Sequence, residues 1–86
     1  MKYKLLRVVC NEDNETCSKI ANMVHTGKSC DEVAEFMVSG ATKGEFGEIF
    51  DDLEVFDEKI MESDKYLIAY TDCGFGDNIA AYEKIK

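Results

Sequence analysis

Proline and tryptophan are absent from this chain of 86 residues, and histidine occurs once, as His25. Without proline, no helix or strand boundary can be placed from fixed-φ residues, so glycine and capping side chains must mark the ends. No apolar run approaches the roughly 20 residues that span a bilayer, which argues against a membrane segment. The start, Met1-Lys2-Tyr3-Lys4, lacks the apolar stretch of an export signal, so a cytoplasmic location is expected. The four cysteines, Cys10, Cys17, Cys30 and Cys73, contain no Cys-x-x-Cys pair. Reduced thiols acting as small core hydrophobes are the simpler expectation. A metal site of Cys17, His25, Cys30 and a distant Cys73 is the alternative.

Basic residues are also scarce where acids are dense. Between Glu45 and Asp64 stand nine carboxylates, Glu45, Glu48, Asp51, Asp52, Glu54, Asp57, Glu58, Glu62 and Asp64, against Lys59 alone. That surplus equals the whole formal charge of −8, so the acidity belongs to one segment. Such a surface repels nucleic acid and anionic membranes and attracts basic partners. Direct nucleic-acid binding, which needs clustered Lys and Arg, is disfavoured.

Apolar residues make up 45% of the chain, enough for a core, and the length suits one domain over 1–86. Residues 2–10 are rich in aromatic and β-branched types and read as a strand. Strict alternation would put Tyr3, Leu5 and Val9 on one face and Leu6, Val8 and Cys10 on the other. Cys17, Ile20, Ala21 and Val24 recur at i, i+3, i+4 and i+7, the stripe of a helix that Gly27 can stop. Ser29-x-x-Glu32 is a capping box, and Val33, Phe36 and Met37 supply the second helix with an apolar face up to Gly40.

A second capping box, Thr42-x-x-Glu45, opens the acidic segment. Phe46, Ile49, Phe50, Leu53, Phe56 and Ile60 there fall within a third of a turn at 100° per residue, which predicts a third helix. Gly47 weakens its first turn, and Asp57 projects near the apolar stripe, so a break near residue 55 is allowed for. Residues 65–72 and 78–85 read as strands of a hairpin around the turn Cys73-Gly-Phe-Gly-Asp77. Ile79, Ala81 and Ile85 should share one side of the last strand, with Tyr82 on the other. The expected fold is α+β, in the order β-α-α-α-β-β. A small three-stranded antiparallel sheet would carry its helices on one face.

No catalytic motif is present. Gly74-Phe75-Gly76 is not a phosphate loop, the acids do not have calcium-loop spacing, and no local pattern supports a Cys–His nucleophile. No cofactor is expected, and the protein reads as a non-enzymatic binder. The acidic helix is its docking face, with Glu45, Glu48, Asp51, Asp52, Glu54, Glu58 and Glu62 supplying charge and Phe75 an apolar anchor at the hairpin tip. Helical carboxylates at i, i+3 and i+4 stand about 4.5–6 Å apart along the axis, comparable to phosphates on a strand. The chain resembles the small inhibitors of phages and mobile elements, anti-CRISPR and DNA-mimic types included, in size, charge and compactness; no motif carries the likeness. The resemblance implies a basic, nucleic-acid-handling partner. Two readings compete: a charge run that is merely the solvated side of a helix, and a homodimer formed through a sheet face bearing Tyr66, Tyr70 or Tyr82.

Overall fold

A computed structural model describes residues 2–9, 13–39, 48–51, 58–72 and 77–85. In chain order the elements are β1 (Lys2–Val9), α1 (Asn14–His25), α2 (Cys30–Ser39), β2 (Ile49–Phe50), β3 (Glu58–Glu62), β4 (Tyr66–Asp72) and β5 (Asp77–Ile85). The strands form one five-stranded sheet in the order β2-β1-β5-β4-β3, every neighbouring pair antiparallel.

The expected three-stranded sheet is therefore corrected to five strands, and the expected third helix to β2 and β3. Both new strands sit at sheet edges. β2 pairs with β1 through Tyr3↔Phe50 and Lys4↔Ile49, and β3 pairs with β4 from Glu58↔Tyr70 to Glu62↔Leu67. Without them, the outer backbone groups of β1 and β4 would lack these partners. Tertiary pairing thus overrides a helical spacing that Gly47 and repeated like charges already weakened.

Local helix signals translate directly. Asp13 caps α1 by accepting from the Thr16 N–H at 3.0 Å, and that bond holds its carboxyl below the ordinary carboxylate range. At the other end the Lys28 N–H reaches the Met23 carbonyl and the Gly27 N–H the Val24 carbonyl. This is the Schellman pattern, and Gly27 adopts its left-handed conformation at φ 85°. Ser29 Oγ accepts from the Glu32 N–H to start α2. Ser63, in the β3–β4 turn, donates to the Asp31 carboxylate at 2.6 Å, which ties that turn to the first turn of α2.

The sheet has a core on each face. On the helix side, Val9, Ile20, Cys30, Val33, Ala34, Met37, Tyr66, Ile68, Ile79 and Ala81 form one buried cluster. On the other side, Leu67, Ala69, Ala80 and Tyr82 form a second, flanked by Tyr3, Leu5, Val8 and Phe50. Tyr82 is met edge-on by Tyr3 and Phe50, with ring centroids 6.4 and 6.3 Å away. Ile79 and Ala81 lie opposite Tyr82, as their alternation in the sequence suggests.

In β1 the expected alternation fails. Leu5 pairs with Tyr82 but Arg7 with Ala81, so Leu6 is a bulge residue and the parity of the strand switches there. Tyr3, Leu5 and Val8 end on one face, Leu6 and Val9 on the other. The bulge also aims Arg7 at α2, where its guanidinium donates to the Met37 carbonyl at 2.7 Å. A cation at that helix end satisfies a carbonyl and complements the negative pole.

Candidate functional site

The two new strands lie at opposite edges of the sheet, and this redistributes the carboxylates. Glu48 precedes β2 and Asp51 follows it; Glu58 and Glu62 begin and end β3. Four inter-strand spacings separate the edges, about 19 Å at the usual strand separation. The described acids therefore do not make one ridge. Glu45, Asp52, Glu54 and Phe75 lie outside the described residues.

Two of the four have lysine partners within the molecule. Asp51 is 3.7 Å from Lys2, with both side chains exposed, an ion pair of small worth. Glu62 is bonded by Lys59 at 3.2 Å and also by Lys84, whose side chain is mostly buried. Those bonds from Lys84 and Lys59 hold the Glu62 carboxyl below its ordinary range. A depressed carboxylate contributes stability above its unfolded pKa and loses it as pH falls through the folded value. Glu62→Gln should therefore destabilise at neutral pH, and the difference from the parent should shrink below about pH 4. Urea titrations at both pH values measure it; a difference independent of pH would remove the ionic account. Glu48 and Glu58 are exposed, and neither forms an ion pair among the described residues.

A concave feature lies elsewhere, between α1 and the β5-β4-β3 side of the sheet. Ile20, Ala21, Val24 and His25 face Ile60, Tyr70 and Ile79 across a groove of about 210 Å³. Ile20 is fully buried, while the short Ala21 leaves a gap beside it on the same helix face. Ile60 reaches the groove because β3 bulges between Lys59 and Met61. Tyr70 forms the rim and remains 42% exposed, whereas Tyr66 and Tyr82 are buried on opposite faces. Of the three tyrosines named for a dimer face, Tyr70 is therefore the exposed one.

The lining is aliphatic apart from the His25 imidazole and the Tyr70 phenol. It suits an apolar side chain better than a reaction, which needs converging polar groups. Cys17 and His25 are eight residues apart on α1, about 12 Å along its axis, too far for a nucleophile–base pair. Cys30 is buried, its thiol 3.7 Å from the Tyr66 carbonyl, and burial pushes its pKa up, away from a reactive thiolate. Among the described residues no three His, Cys, Asp or Glu side chains gather in a way that could hold a metal ion. Cys73, the fourth member of the alternative thiol site, lies outside them.

Sequence reasoning missed the groove because its walls come from distant segments. The one local sign was a small residue, Ala21, inside an otherwise bulky stripe. Among the described residues no helix is long and apolar enough to cross a membrane. No protein-family model, curated protein or solved structure matches this chain.

Proposed function

We propose that this chain is a small acidic binding protein that docks, without catalysis, on a basic surface of a protein partner and acts as an inhibitor there. Proteins that handle nucleic acid present such surfaces, because neutralising phosphates takes clustered Lys and Arg. The observation that carries the reading is the nine-to-one surplus of carboxylates over residues 45–64, of which Glu48 and Glu58 stand exposed and form no ion pair among the described residues. Self-repulsion of this kind costs stability and raises the association rate with cationic surfaces. The phosphate-spaced helical row is gone with the third helix, so the reading rests on charge and exposure. The free, buried thiol of Cys30 suits the reducing cytoplasm as its compartment.

Edge-to-edge dimerisation has less support. The β3 edge presents exposed Glu58, Lys59 and Glu62 and a bulge, all features that discourage strand addition, and β2 is only two residues long.

Immobilised protein should capture basic proteins from source-cell lysate at about 50 mM salt and release them at about 500 mM, where charges are screened within a few ångströms. Added duplex DNA should displace them, and Glu48→Lys with Glu58→Lys should weaken capture. Capture that survives high salt and charge reversal, or no specific capture at all, would overturn the reading.

A further inference from the structure

We infer that the groove between α1 and the sheet is an anchor site for one apolar side chain of a protein partner that carries Lys or Arg next to it. This deepens the proposed function and rests on it. Three observations select the occupant. The first is size: about 210 Å³ lies below the roughly 300–1,000 Å³ of sites for drug-sized molecules and suits a single Leu- or Phe-sized side chain. The second is chemistry: Ile20, Val24, Ile60 and Ile79 offer aliphatic walls, and the half-exposed Tyr70 offers an aromatic rim of the kind that anchors interfaces.

The third is charge complementarity at the rim. Glu58 pairs with Tyr70 across β3 and β4, so their side chains share the helix-side face about 5 Å apart at Cβ. Glu58 is exposed there and forms no ion pair among the described residues. Lys59 pairs with Ala69, whose side chain lies in the cluster on the other face, and it bonds Glu62. The groove therefore has an apolar floor, with His25 in its wall, and beside it a carboxylate that forms no ion pair among the described residues. A leucine followed by a lysine meets both.

The test uses isotope-labelled protein and three acetylated, amidated tripeptides: Ala-Leu-Lys, Ala-Leu-Glu and Ala-Ala-Lys. Ala-Leu-Lys should shift the methyl signals of Ile20, Val24, Ile60 and Ile79 and saturate at millimolar concentration. Ala-Leu-Glu should bind about threefold more weakly, the size of one exposed ion pair, and Glu58→Lys should reverse that order. Ala-Ala-Lys should leave the groove methyls unmoved. Ala21→Trp should fill the gap and abolish the shifts; Ala21→Leu, a smaller change on the same exposed position, should weaken them if the tryptophan variant fails to fold. Shifts that map elsewhere, or equal affinity for the Lys and Glu peptides, would overturn the proposal. The partner capture described above separates the two readings. If Ala21→Trp captures the same basic proteins with the same salt sensitivity, the anchor site falls and the acidic docking reading stands.

Discussion

Replacing Ile68 with alanine should remove much of the protein's stability. Ile68 is fully buried on β4, an interior strand, and belongs to the cluster that joins the sheet to both helices. Loss of its branched side chain leaves a cavity where helix and sheet residues meet, and such changes cost about 2–5 kcal/mol. A domain of this length has a total of about 4–13 kcal/mol, so the variant stands near the edge of folding at room temperature. In urea, with a slope near 1 kcal/mol per molar for so small a protein, the midpoint should fall by about 2–5 M. Ile49→Ala is the matched control. That side chain is 57% exposed on the edge strand β2, and its loss should change stability by no more than about 0.5 kcal/mol. Circular dichroism during urea titration decides it. A cost below about 1 kcal/mol for Ile68→Ala would mean the helices do not bear on the sheet as described.

What could be read from the chain in advance was what local chemistry determines. The Cys17–Val24 stripe, the Gly27 stop and the Ser29 cap each depend on residues within a few positions, and each is present. The β4–β5 hairpin was legible for the same reason, its strands being neighbours in sequence and in the sheet. Two errors came from long-range effects. Ile49, Phe50 and Ile60 fit a helical period, but β1 and β4 each had an edge to pair, and those partners lie 40 or more residues away or across a turn. In β1, the bulge at Leu6 has no signature in the strand itself; it answers to Tyr82 and Ala81 on β5. The candidate site fared likewise. The surplus of carboxylates was plain, but its division between two sheet edges followed from strand order, which no single segment encodes. The groove was invisible because Ala21, Ile60 and Tyr70 come together only in the folded chain.

A glutamate at position 80 should be as damaging as the loss of Ile68, for a different reason. Ala80 is fully buried and pairs directly with Ala69, and both belong to the cluster on the sheet face away from the helices. Leu67, Tyr82, Tyr3, Leu5, Val8 and Phe50 complete that cluster, so a carboxylate there has apolar neighbours and no cation among them. An uncompensated buried charge costs about 3–5 kcal/mol. Ser18→Glu, a glutamate on an exposed helix position away from the groove, should stay within about 0.5 kcal/mol of the parent. The pH dependence gives an independent sign. Burial favours the protonated carboxyl and raises its pKa, so the penalty is largest at neutral pH and is relieved as pH falls through that raised value. Ala80→Glu should therefore lose less stability, relative to the parent, at pH 4.5 than at pH 7. Should it instead be as stable as Ser18→Glu at pH 7, the second face is no closed core, and Tyr82 and Phe50 would have to be counted as open surface available to a partner.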